Sequence, residues 1–169
     1  MKQIHLALFV GLFCVTTTIY AQSENTPVYN IALKQGIKKC LPAIKKISEL
    51  LLKDTDNGAS CTYSTKTADA GIFKCMVEVN YSDGNSIISI SMTPTSSGTC
   101  DGEYSRTNTW KKNCAAVSKE TFSELEYKDQ LSKNVTTLIT KDKGAYVYLV
   151  GTQDGGCLSI KTETLRDFK

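Results

Sequence analysis

Histidine is almost missing from this chain. Its 169 residues contain one, His5, and that residue sits in the apolar N-terminal stretch. Without imidazole elsewhere, Ser-His-Asp and Cys-His nucleophilic catalysis are excluded, and so are histidine metal sites. The cysteines form no CxxC pair, so a zinc site would need widely scattered thiolates. No SxxK motif and no glycine-rich phosphate loop occurs. Nor does any apolar run reach the roughly twenty residues a membrane-spanning helix requires. A net charge of +3 is too weak a basic excess to argue for nucleic acid. These absences lead us to expect no metal, no cofactor and no enzymatic activity.

The N-terminus itself is informative. Lys2 precedes an apolar run from Ile4 to Val15, and Ile19-Tyr20-Ala21 forms a cleavage site before Gln22, the pattern of a secretory signal. Cys14 follows Leu12 and Phe13, where lipoprotein signals carry small residues. We therefore expect a signal peptide over 1–21 and a single domain over 22–169, periplasmic or secreted. Cleavage would remove both His5 and Cys14.

The six cysteines that remain are an even set in an exported chain, which reads as three disulfides. Cys61 and Cys75 lie symmetrically about a turn near Ala68, so a hairpin would oppose them. Cys100 with Cys114 would close a local loop, leaving Cys40 with Cys157.

Thr26 and Pro27 look like a helix start. From there to Lys53, Leu33, Ile37, Cys40, Leu41, Ile44, Ile47 and Leu51 fall on one side at helical spacing. Pro42 lies in the charged sector, so we expect one long helix kinked there, or two abutting ones. Asp54 to Gly58 reads as the exit turn, with Gly58 as a left-handed cap. Its likeness to a calcium loop fails because the glycine is one position early and Thr65 stands where the closing glutamate belongs.

Beyond Ser60 the period changes to two. Strands are expected at 61–65, 72–81, 86–93, 135–140, 145–150 and 157–164. Ser82 to Asn85 forms a turn, Thr95 to Gly102 a polar loop, and Cys114 to Leu125 a short helix capped near Ser118. No internal repeat is evident. The expected fold is α+β: a long kinked N-terminal helix packed on a five- to six-stranded antiparallel sheet, stapled by three disulfides.

Candidate binding residues are Trp110, Tyr104 and Arg106 in a long connection, an aromatic and guanidinium set of the type favoured as binding anchors. The helix lysines Lys38, Lys39, Lys45 and Lys46 form a second set, suited to an acidic partner. The expected function is protein binding, with an inhibitor or immunity protein that neutralises a toxin or hydrolase as the type. Two alternatives remain. One is a glycan-acting enzyme built on Asp101, Glu103, Glu120, Glu124, Glu126 or Asp129. The other is a structural or ligand-carrying envelope protein. Asn80 and Asn134 begin glycosylation sequons.

Overall fold

A computed structural model describes residues 25–81 and 84–168. The expected signal peptide and its cleavage site lie outside the described residues, as do Ser82 and Asp83 of the expected turn.

The single kinked helix is replaced by two helices, α1 (Pro27–Lys34) and α2 (Leu41–Leu52). Thr26 caps α1, its hydroxyl accepting from the Tyr29 amide at 3.3 Å. The break falls at Gly36, whose φ of 76° is left-handed. There the Gly36 amide donates to Leu33 and the Ile37 amide to Ala32, a closed end that consumes the last carbonyls. Pro42 therefore does not bend a helix; it sits in the first turn of α2, where its missing N–H costs nothing. Helical spacing continued across the break because Ile37 and Cys40 turn inward from the connection as well. At the far end, Asp54 takes the left-handed conformation (φ 60°) and Gly58 lies inside a strand.

That connection is held from outside by the loop that follows β1. The Asp69 carboxylate accepts from the amides of Lys38 and Lys39 at 2.8 and 2.6 Å. Burial pushes the Asp69 carboxyl up, but the amide bonds and the two lysine charges outweigh it and hold it below its ordinary value. A carboxyl whose folded pKa is depressed stabilises the fold above the ordinary carboxylate range, about 4, and loses that contribution as pH falls through its folded value. The stability gap between wild type and Asp69→Ala should thus be full at neutral pH and shrink in acid. Urea titrations at several pH values read it directly; a gap constant down to pH 2 would remove the carboxylate from this role.

The sheet is larger than expected. It comprises β1 (Asp56–Thr62), β2 (Phe73–Tyr81), β3 (Gly84–Pro94), β4 (Cys100–Trp110), β5 (Glu126–Ser132), β6 (Val135–Ile139), β7 (Ala145–Gly151) and β8 (Cys157–Phe168). All eight are antiparallel to their neighbours, in the order β1-β2-β3-β4-β8-β7-β6-β5. A short helix, α3 (Cys114–Thr121), joins β4 to β5; its cap is Asn113, not Ser118. The strands missing from the expected five to six are β4 and β5. β4 is polar on both sides, and β5 is an exposed edge broken by two register shifts, so neither shows apolar alternation.

The strand order is the same read from either end, and the two halves share one plan: a helix followed by a four-stranded meander. The last strand of each half begins at a cysteine bonded to the start of that half's helix. Cys40 pairs with Cys100, and Cys114 with Cys157. Each of these strands follows the same turn, Thr95-Ser96-Ser97-Gly98-Thr99-Cys100 and Thr152-Gln153-Asp154-Gly155-Gly156-Cys157. Gly98 and Gly155 have φ of 80° and 83°, and each donates its amide to the leading threonine. Ser48-Glu49-Leu50-Leu51-Leu52-Lys53-Asp54 is echoed by Ser123-Glu124-Leu125-Glu126-Tyr127-Lys128-Asp129. The repeat escaped the sequence reading because the echoes are short and Ser123 to Leu125 form a turn where Ser48 to Leu50 are helical.

Three disulfides form, as the cysteine count implied. Cys61 and Cys75 face each other across β1 and β2 as expected, with Cα atoms 4.0 Å apart. The other two pairs exchange partners relative to expectation. Cys100 opens β4 and Cys114 lies just past that strand's other end, so they cannot meet, whereas each lies beside its own half's counterpart.

All three helices pack on one side of the sheet. Ile44 and Ile47 of α2 meet Phe73, Val77, Ile88 and Ile90 in the larger core. Val117 of α3 meets Leu138, Val147 and Leu149 in the smaller one. Among the described residues, no helix is long and apolar enough to cross a membrane.

Candidate functional site

Two surfaces stand out, one on each side of the sheet. The first is a cleft on the helix side, over the seam where β4 pairs with β8. Strand alternation places Tyr104, Arg106, Asn108 and Trp110 on the helix side of β4. Their partners on β8 are Glu163, Lys161, Ser159 and Cys157. Trp110 and Arg106, expected in a long connection, instead share one face of a strand, and both line a cleft of about 330 Å³. Lys161, Asn108, Phe122 and Tyr81 complete its walls. Residue type alone nominated Trp110 and Arg106; neither their strand nor the contribution of Lys161, from a strand fifty residues away, was expected.

Tyr104 has a different environment from its strand neighbours. It is 5% exposed, and its hydroxyl donates to Glu163 Oε2 at 2.7 Å. Burial, together with that hydrogen bond, pushes the phenol well up, so it stays a neutral donor. Trp110 is fixed by its indole N–H, which donates to Ser159 Oγ at 2.8 Å. Arg106 reaches the Leu51 carbonyl at 3.4 Å, near the C-terminus of α2.

The helix lysines are exposed but dispersed in their contacts. Lys45 lies 3.8 Å from Glu49 and over the Tyr29 ring, and Lys46 lies over the Phe168 ring. Lys38 and Lys39 flank the Asp69 clamp.

The second surface is the opposite side of the sheet, which carries no helix among the described residues. Register aligns Glu78, Ile87, Thr107, Ile160, Tyr148 and Thr137 in one row across β2, β3, β4, β8, β7 and β6. The neighbouring row runs Met76, Ser89, Ser105, Thr162, Tyr146 and Ile139. Met76 and Ile87 are 46% and 42% exposed, and Ile160, Tyr146 and Tyr148 are half-buried. The two tyrosine rings stack at 6.5 Å, with Lys128 over Tyr146. At the β5 end, Asp129 Oδ1 and Thr137 Oγ1 are buried without hydrogen-bond partners on adjacent strands. The Tyr146 and Tyr148 alternation was legible in sequence; its continuation into Ile160, Ile87 and Met76 depends wholly on strand order.

Carboxylates edge this face: Asp56, Glu78, Asp101 and Glu103 in the first half, Glu126 and Asp129 in the second, against Lys74, Lys128 and Arg166. They do not converge. β4 and β5 are separated by four strand spacings, about 19 Å, so Asp101 and Glu103 share no cleft with Glu126 and Asp129. Glu120 pairs with Lys112 on α3's outer side. The space between α2 and the sheet is filled by Ile44, Ile47, Phe73, Val77, Ile88 and Ile90.

Neither a family model, a curated protein nor a solved structure matches the chain.

Proposed function

We propose that the chain is an exported, non-catalytic protein-binding module, of the inhibitor or immunity-protein type, that meets its partner with the helix-free face of its sheet. The observation that carries this reading is the apolar and aromatic band of Met76, Ile87, Ile160, Tyr148 and Tyr146 left without a helix over it. A sheet of eight strands is about 34 Å across at 4.8 Å per spacing. With strands of about 20 Å, the face offers roughly 700 Å², close to one side of a standard interface. Tyrosine supplies contact area at low entropic cost, and serine and threonine supply adaptable hydrogen bonds. The acidic edge favours a partner whose contact surface is basic at its rim. The disulfides fit an oxidising compartment.

The helix lysines remain a second contact region, for an acidic surface. Lys45 and Lys46 already have local partners, which supports giving the sheet face the larger role.

The test uses the purified oxidised protein as bait, with Ile87→Arg and Tyr148→Ala as sheet-face variants and Lys45→Glu/Lys46→Glu as the helix-face control. All should keep wild-type circular dichroism and melting. The expected result is one stoichiometric protein partner, lost with either sheet-face variant, kept by the control, and associating more slowly as salt rises. A partner kept by both sheet-face variants, or lost only with the helix-face control, would overturn the reading.

A further inference from the structure

The cleft over the β4–β8 seam brings two cationic side chains together. Arg106 comes from β4 and Lys161 from β8, directly paired in register. Arg106 Nε is buried and has no hydrogen-bond partner, an unsatisfied charged donor in a folded chain. The Asn108 side-chain oxygen accepts from the Ser86 hydroxyl, and its amide N–H₂ is a further donor at the cleft. Trp110, next along the same strand face, Phe122 and Tyr81 supply the aromatic part of the lining. Lys161 touches Glu163 only loosely, at 3.8 Å, and that carboxylate is already committed to the Tyr104 hydroxyl.

We infer that this cleft is a binding site for a carboxylate carried next to an aromatic or aliphatic group, with Arg106, Lys161 and Asn108 holding the carboxylate and Trp110 and Phe122 the apolar part. Planar guanidinium geometry matches a carboxylate, and the paired charges of Arg106 and Lys161 favour it over the corresponding neutral amide. A cleft of about 330 Å³ takes a small aromatic acid or the terminal residue of a peptide, and is too small for a larger ligand. The site is independent of the sheet face, which lies on the opposite side.

Trp110 is the only tryptophan in the chain, so its fluorescence reports the cleft alone. Two acids are used as probes, phenylacetate and the dipeptide Gly-Phe with its N-terminus acetylated, each against its neutral amide. Titration should shift Trp110 emission with both or either acid and with neither amide. Arg106→Gln and Lys161→Met should each weaken binding about tenfold or more. Ile87→Arg, on the other face, should leave it unchanged. A preference for phenylacetate identifies a free small acid as the ligand; a preference for Gly-Phe identifies a chain terminus. No response to either acid, equal response to the amides, or undiminished binding in both cation variants would each overturn the proposal. Circular dichroism and urea titration of the variants separate loss of binding from loss of fold.

Discussion

Replacing Cys40 and Cys100 together by alanine should destabilise the protein by about 4 kcal/mol, and the same change at Cys114 and Cys157 should do nearly the same. The estimate follows from the closed segments, with sequence separations of 60 and 43, which differ little on a logarithmic scale. Cys40, Cys100 and Cys157 are each at most 2% exposed, so some packing is lost as well. Double substitution avoids leaving a free thiol to form a wrong bridge. Urea unfolding of the oxidised proteins measures the loss, and non-reducing peptide mapping checks the pairing behind it. A fragment joining Cys40 to Cys157 would show that the two halves are not each closed on themselves. A loss below about 1 kcal/mol for both double variants would show that the bridges do little for the unfolded chain.

Phe73→Ala should cost about 3–5 kcal/mol, the range for removing a large aromatic from a packed interior. Phe73 heads the largest fully buried side chains and is 1% exposed beneath α2. Its cavity cannot collapse easily, because β2 is held on both sides by paired strands and by the Cys61–Cys75 bridge. Phe73→Leu, which keeps most of the volume, should cost about 1 kcal/mol. The neighbouring Ile72, 64% exposed, is the control: Ile72→Ala should fall within about 0.5 kcal/mol of wild type. In a domain of this size each kcal/mol moves the melting temperature by about 2–4 °C, so calorimetry resolves the series. Equal losses at positions 72 and 73 would reverse the facing of β2.

The parts of the fold legible in advance are those with a local signature. Thr26 and Pro27 mark the start of α1, and alternating Phe73, Cys75, Val77 and Val79 mark β2. Gly36 was a readable stop, yet the apolar spacing running through Ile37 and Cys40 masked it. β4 had no such signature. It lies at the centre of the sheet with both neighbours paired, so its backbone is satisfied whatever its side chains are. Its inward positions Arg106, Asn108 and Trp110 line a cleft and need not be apolar. The strand that builds the candidate site was therefore the hardest one to see. Trp110 and Arg106 could be nominated by residue type, but Lys161 could join them only once β8 was known to lie alongside.

By itself, the sequence determined that no histidine lies beyond the N-terminal stretch and that six cysteines follow it, a number that can pair completely. It also determined the Cys61–Cys75 hairpin and every strand with apolar alternation. Each of these depends on composition or on contacts between residues close along the chain. Only the tertiary structure decided the order of eight strands, the pairing of the two long-range disulfides, the repeated plan of the halves, and both candidate surfaces. Those depend on which distant strands pair, and backbone hydrogen bonding between strands is nearly indifferent to side-chain identity. The choice is made by burying all three helices on one face at once, which leaves the other face without a helix among the described residues.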